Sequence, residues 1–536
     1  MPAAGGGFDR SALQKVPKAA RGSYIWLAVI WASYCGGLHG FNTANISGAM
    51  SLDPFVRDFG WTNLTDGQVS NDKGWAVSSM LLGQTAGVIM SGPLGERRGR
   101  KPVILTAAIF YTIGAILMAA NVGSFAELLV GRVLSGVGSG FGMTVGPVYI
   151  SEIAPRELRG MMTTFYNINI MGGVAGSYWI NYASLEVISG SSSWQWRTTL
   201  VLQLIPSIIL FIGFAFFPES PRYLLMRGRV EDARVSLSRL RGGLDERDPY
   251  LAREYAELQS MAEMGSESQR AVDALKSLAK QCIQDGATRH LLLFVLLIQT
   301  FFIMSGGNSI TYYAPTILAS IGLNAQQVLL FTAIYGLIKV ISVFLYAFFL
   351  TDRYGRRPLL LIGSTINTLC LLYLTVFLGV ANISDSASPS PAAWVSIVAI
   401  CVFAIGYGFG WAPVFSLTAS EICPTHLRGP VVAIAFTYQN LLNFGISRGF
   451  PNMTVTMHAW GPFALFTAFT GCATVWVYFA FPECKGRSME SVATIFSLPW
   501  YRTGFSKVPA AQGDQENRDP EKEAASSTHE ENSGKA

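Results

Sequence analysis

Lys339 stands in Tyr335-Gly-Leu-Ile-Lys339, in the middle of an apolar stretch. It is about 16 Å from either end at 1.5 Å per residue, too far to reach water comfortably. An ammonium at that depth can hold a carboxylate, and the other reading is a buried structural pair. His39 lies one helical turn before Asn42, where it can exchange a proton or simply hydrogen-bond a neighbouring helix. Charged residues cluster at breaks between apolar stretches, and the clusters recur. Glu96-Arg97-Arg98-Gly99-Arg100-Lys101-Pro102 returns as Asp352-Arg353-Tyr354-Gly355-Arg356-Arg357-Pro358, and Phe217-Pro218-Glu219 as Phe481-Pro482-Glu483. Ser151-Glu152-Ile153-Ala154-Pro155 with Arg159 returns as Ser420-Glu421-Ile422-Cys423-Pro424 with Arg428. Paired across an interface between two halves, such acids and bases stabilise a closed gate; they also anchor helix ends and set topology. Seven cysteines without a CxxC spacing and five scattered histidines offer no disulfide framework or metal site. With no nucleophile or paired catalytic carboxylates, neither an enzyme nor a cofactor is expected.

The elements that must carry these residues are membrane spans. Of 536 residues, 50% are hydrophobic and only 14% charged, with a mean hydropathy of +0.35; soluble chains carry about a quarter charged residues. The net charge of +5 is too slight to attract nucleic acid. Apolar stretches long enough to cross a bilayer fall near 25–48, 74–94, 102–121, 125–150, 161–182, 197–217, 290–320, 328–350, 358–380, 392–418, 429–452 and 461–481. The expectation is an all-α membrane protein of 12 transmembrane helices in two six-helix bundles, related by an axis along the membrane normal. Its parts are a cytoplasmic segment 1–24, bundles 25–218 and 290–482, a linker 219–289 with short amphipathic helices, and a tail 483–536, largely disordered. The first span follows a polar leader without a small-residue cleavage site, so it reads as retained.

Basic residues set the orientation. Arg97, Arg98, Arg100 and Lys101 follow the second span and Arg353, Arg356 and Arg357 the eighth, whereas 381–391 has no Lys or Arg. Both termini and the linker are therefore expected on the cytoplasmic side, with the plasma membrane the favoured location. The sequons at Asn63 and Asn382 fall in outside loops and permit glycosylation. Gly136-Val-Gly-Ser-Gly140 lies inside an apolar span with no strand before it, so close helix packing is a better reading than a nucleotide loop.

These blocks resemble the sugar porter family of the major facilitator superfamily over nearly the whole chain. Gly92-Pro-Leu-Gly-Glu-Arg-Arg-Gly-Arg-Lys is similar to the family's G-x-L-x-D-R-x-G-R-R loop, with Glu96 for the usual aspartate. Gly131-Arg132, Pro218-Glu219-Ser220-Pro221-Arg222, Asp352-Arg353-Tyr354-Gly355-Arg356-Arg357 and Tyr312-Tyr313-Ala314-Pro315 after Asn308 match other family blocks. The resemblance implies a gating or salt-bridge role for Glu96, Arg97, Arg100, Arg132, Glu152, Arg159, Asp352, Arg353, Arg356, Glu421 and Arg428. It implies hydroxyl-binding amides at Asn167, Asn308, Gln439 and Asn443, with Tyr312 and Trp411 as apolar walls.

The departures point to the cargo. Asn42 replaces the aspartate of proton-coupled members, cannot titrate, and leaves Arg132 without its usual carboxylate neighbour; with His39 it is counted among the candidate substrate-binding residues. Two helix-7 glutamines of typical hexose carriers are Phe302 and Ile303 here, and Asn440 stands where an aromatic is common. Lost hydroxyl-binding groups disfavour neutral hexoses, while Lys339, with Arg132 or His39 in support, favours an acidic sugar or hydroxy acid of the galacturonate or quinate type. Some fungal carriers of such acids are similar to this chain around Tyr-Gly-x-x-Lys. The expected partners are that solute, the bilayer and, as a candidate co-substrate, protons. The alternatives are a neutral hexose, pentose or polyol facilitator with a structural Lys339, and a non-transporting sugar sensor.

Overall fold

Short polar sequences start the helices. Thr65 accepts the Gln68 N–H while the Gln68 side chain accepts the Thr65 N–H; Asn324 and Gln327 repeat the arrangement. Each such box satisfies donors that the first turn leaves unpaired. The computed structural model describes residues 16–245, 247–266, 271–380, 390–412, 422–423, 427–483, 495–496 and 499–505. Glu421 and Asn382 lie outside these residues, and Asp352 and Arg428 are described as backbone only.

Eight helices among the described residues are long and apolar enough to cross a membrane. Four more, α1 (Ser23–Ala49), α2 (Asp66–Arg98), α5 (Arg159–Val187) and α11 (Arg428–Thr456), are long but more polar. Together they make the twelve-helix architecture, with α3 (Arg100–Ala120), α4 (Phe125–Ile153), α6 (Trp194–Phe216), α7 (Gly286–Ala319), α8 (Ala325–Leu345), α9 (Arg356–Val380), α10 (Pro391–Phe409) and α12 (Gly461–Ala480). The polar helices are long because their inner faces need not be apolar: they meet other helices rather than lipid.

Small residues let backbones touch. A Cβ on Gly136 of α4 would sit 2.2 Å from the Met80 carbonyl oxygen of α2, and one on Gly140 would sit 2.3 Å from that of Gln84. The glycine string is thus a packing seam. The repeated charged blocks fold alike. Gly99 (φ 101°) and Gly355 (φ 83°) turn the chain into α3 and α9. In the first half the Glu219 carboxylate accepts the N–H groups of Arg100 and Lys101 at 3.1 Å. In the second, Glu483 accepts those of Arg356 and Arg357 at 3.1 Å. A side chain at either glycine would collide with that carboxylate. Burial raises the Glu219 carboxyl above its ordinary value, while the three backbone N–H groups of Ser220, Lys101 and Arg100 pull it down.

Between the halves lie four helices, Pro221–Met226, Val230–Leu240, Pro249–Ser266 and Ala271–Gln284. Arg241, 1% exposed, pins them to the end of α4 by donating to the Ile153 carbonyl at 2.9 Å while pairing with Glu254.

Three departures from the sequence expectation have local causes. The seventh span is two helices, α7a (Gly286–Met304) and α7b (Gly307–Ala319), broken at Gly306 (φ 80°). The sixth is interrupted at Gln203, and the eighth ends in a π-turn at Tyr346–Leu350. An apolar run registers length and not backbone continuity.

Candidate substrate site

The break in α7 builds the site. Gly306 takes a left-handed conformation, and a Cβ on Gly307 would sit 2.1 Å from the Tyr407 ring of α10. Tyr407 consequently presses against the start of α7b, where its hydroxyl donates to Asn308 Oδ1 at 3.3 Å. Its ring also faces Lys339: the ammonium lies 5.3 Å from the Tyr407 centroid and 5.5 Å from that of Tyr335. Lys339 is 2% exposed and donates to Thr311 Oγ1 at 2.7 Å. An ammonium has three donors, and this one spends a single donor on a hydroxyl. No carboxylate lies within ion-pairing reach among the described residues. Beside it, Asn443 of α11 donates to the Tyr312 hydroxyl at 3.0 Å. Asn308 and Lys339 thus meet through Tyr407, while Tyr312, next to Thr311 on α7b, holds Asn443.

The first bundle treats its buried cation differently. Arg132 is 0% exposed. Its Nε donates to the Ala76 carbonyl at 2.9 Å, and Nη1 donates to the Asn42 carbonyl at 2.8 Å and to Asn42 Oδ1 at 2.7 Å. Asn45 Oδ1 at 3.3 Å and the Val77 carbonyl at 3.5 Å complete the shell. The missing carboxylate is replaced by neutral oxygens, so neither a compensating acid nor a visiting anion is needed. Asn42, whose amide also donates to Ser135 at 3.1 Å, is consumed by this lock and not free for substrate. His39, half-buried, takes an N–H from Gln84 at 2.7 Å. Asn167 is half-buried on α5 and makes no hydrogen bond among the described residues.

The profile of the family described as sugar (and other) transporter matches residues 28–496. The chain belongs to the sugar porter family. A probable quinate permease of Aspergillus fumigatus is 32% identical to this sugar porter over 512 residues, spanning 93% of this chain and 92% of the relative. Sugar transport protein 7 of Arabidopsis thaliana is 28% identical over 489 residues, spanning 89% and 91%. Among solved structures, the E. coli xylose transporter XylE in a partially occluded inward-open conformation matches with a TM-score of 0.71 at 23% identity, over 87% of this chain and 100% of that one. That likeness is one of fold.

Sequence reasoning named Trp411 and Gln439 but missed Gln299, which with Asn440 completes a second layer of this sugar porter. Phe302 stacks on Tyr407 with centroids 5.9 Å apart. One turn before Phe302 is Gln299, and one turn after Tyr407 is Trp411. Successive helices alternate in direction, so the two lie at one depth. Gln439 and Asn440 are one turn before Asn443. All four are buried, and both polar atoms of Gln299, Trp411 Nε1, Gln439 Oε1 and Asn440 Nδ2 lack a hydrogen-bond partner among the described residues. Buried polar groups are rarely left unmade, so this layer holds unspent donors and acceptors. A lone glutamine inside Leu291–Met304 was the available signal for Gln299.

Of the expected charged groups, the side chains of Asp352, Glu421 and Arg428 lie outside the described residues. Arg100 binds Glu152 through two contacts of 3.0 Å, inside the first bundle, because the start of α3 and the end of α4 are neighbours there. Glu96 and Arg97 are exposed, and the Arg97 carbonyl accepts from Tyr223 and Arg227. Arg159 is half-buried with Nε unpartnered among the described residues. Arg353 lies 5.6 Å over the Tyr354 ring, while Arg356 is buried at the start of α9.

Proposed function

We propose that this sugar porter carries a small polyhydroxylated acid, of the hydroxy acid or sugar acid class, across the plasma membrane by alternating access. One observation carries the reading: Lys339 is buried in an aromatic corner with donors to spare and no carboxylate partner among the described residues. A substrate carboxylate completes its shell, and a charge-assisted bond there strengthens in the low local dielectric. Asn308, Asn443, Gln439 and Asn167 supply amides for hydroxyls, joined by Gln299 and Asn440. The names of the fungal relatives, probable quinate permeases, support the same class. Glu96, Arg97, Arg100, Glu152, Arg159, Arg353 and Arg356 serve gating by bracing each bundle's cytoplasmic end as a rigid unit.

Anion entry runs against an inside-negative potential by roughly 2.3 kcal/mol per charge per 100 mV. Proton cotransport removes that opposition, and His39 is the half-buried titratable group on α1 suited to accompany the cargo.

Uptake of labelled quinate, galacturonate, glucose and xylose into transport-deficient yeast, with and without an uncoupler, tests the reading. Lys339→Met is expected to reduce acid uptake about 100-fold, the loss of one charge-assisted contact of about 3 kcal/mol. Neutral sugar uptake that survives the substitution overturns the proposal and leaves a neutral-solute carrier.

A further inference from the structure

Arg448 lies at the expected outer end of α11, where an arginine ordinarily reaches for the headgroups. Here it turns inward and crosses to the other bundle. Its Nη2 donates to Asn71 Oδ1 of α2, and its guanidinium lies 4.8 Å over the Trp75 ring of the same helix. Between those two residues is Gly74, fully buried, where a Cβ would come within 2.8 Å of both Arg448 Nη1 and the Arg448 carbonyl oxygen. The site is therefore shaped for this side chain: an acceptor, an aromatic face, and a missing Cβ between them. Trp75 also lies 6.3 Å from Phe444, one turn before Arg448.

The residue beside Arg448 ties the same point to α7b. Tyr313 donates to the Ser447 carbonyl at 2.7 Å, and Ser447 Oγ donates to Asn443 Oδ1 at 3.2 Å. Asn443 in turn holds Tyr312. A continuous polar path thus runs from the substrate corner through Ser447 to the contact with α2.

We propose that Arg448 is the clamp that shuts the outer gate, gripping Asn71 and Trp75 across the bundle interface and releasing them when the bundles part. The proposal rests on the alternating-access reading but not on the identity of the cargo. Three facts favour a clamp over a passive anchor. The contact joins two bundles that must separate for the site to open outward. The groups it touches are neutral, an amide oxygen and a ring; Asp72 on the same helix feels its charge but makes no ion pair with it among the described residues. It adjoins the residue that anchors Tyr313. Other outer contacts, Gln326 to Glu186 at 2.7 Å and Tyr178 to the Thr311 carbonyl among them, would still join α5 to the second bundle, so losing the clamp shifts a balance rather than dissolving the interface.

The test is a distance measurement that needs no substrate. Spin labels at Val187→Cys and Met457→Cys, exposed positions at the outer ends of the two bundles, are placed in a background with all seven native cysteines replaced by serine and read by pulsed dipolar spectroscopy in liposomes. Arg448→Leu is expected to raise the long-distance, outward-open population about tenfold. Asn71→Leu reads the same contact from the other side should Arg448→Leu fail to fold, and is expected to give the same shift. The double variant should add little to either. Unchanged distributions in correctly folded Arg448→Leu and Asn71→Leu, or fully additive shifts, overturn the clamp. A wrong substrate assignment would leave this outcome untouched.

Discussion

Arg132 and Lys339 are both cations buried within the membrane, one in each bundle, and their surroundings differ in kind. Arg132 spends its donors on the Ala76 and Asn42 carbonyls and on the amides of Asn42 and Asn45, all from its own bundle. Lys339 has one hydroxyl and two ring faces. A planar fork with fixed donors suits a permanent lock among carbonyls, whereas a compact ammonium on a flexible stem suits a partner that comes and goes. The contrast teaches that depth alone does not mark a cation as functional; the unfilled part of its shell does.

The largest effect expected from this contrast is on folding. Arg132→Met leaves several buried acceptors unmet, at about 1–3 kcal/mol each, so detergent-solubilised protein should melt lower by roughly 10 °C or be lost from the membrane fraction. Lys339→Met leaves the Thr311 hydroxyl still bonded to the Gly307 carbonyl and the Tyr335 hydroxyl, so its melting temperature should stay within about 2 °C of the parent while acid uptake collapses. A large thermal loss in Lys339→Met would make the two cations equivalent and break the comparison.

Smaller effects sharpen it. Gln299→Leu and Asn440→Leu remove unspent polar groups from the layer beneath Lys339. Each should raise the KM for a polyhydroxylated acid about tenfold, equivalent to about 1.4 kcal/mol, with little change in melting. If these changes stabilise the protein and leave KM unaltered, the layer is not where hydroxyls bind. Smallest is Asn42→Asp, which hands Arg132 the carboxylate it lacks. A charge-assisted bond replacing the 2.7 Å amide contact should raise the melting temperature by about 2 °C without altering substrate preference.

Much of the candidate site could be named from the sequence, for a definite reason. Lys339 announced itself because a charge is conspicuous against apolar neighbours, and Asn308 and Tyr312 because they follow a recognisable block. Gln299 was passed over because a single amide in an apolar span is a weak signal, and its meaning appears only when its partners prove to be missing. Arg448 carries no signal along the chain beyond its place near a helix end, because its contact with Asn71 joins residues 377 apart in the chain. Asn42 was placed among the substrate groups because its spacing could not show that Arg132 had already claimed it.

The sequence by itself determined the class of architecture. Apolar runs of bilayer length demand spanning helices, and the doubled charged blocks at Gly99 and Gly355 dictate two halves with the same local clamp. These are local or compositional properties, readable along the chain. The tertiary structure decided which buried polar groups are spent and which remain. Hydrogen-bond satisfaction depends on partners brought in from distant helices, so Arg132 became a lock, Lys339 an open corner and Arg448 a bridge between bundles only once the helices had packed.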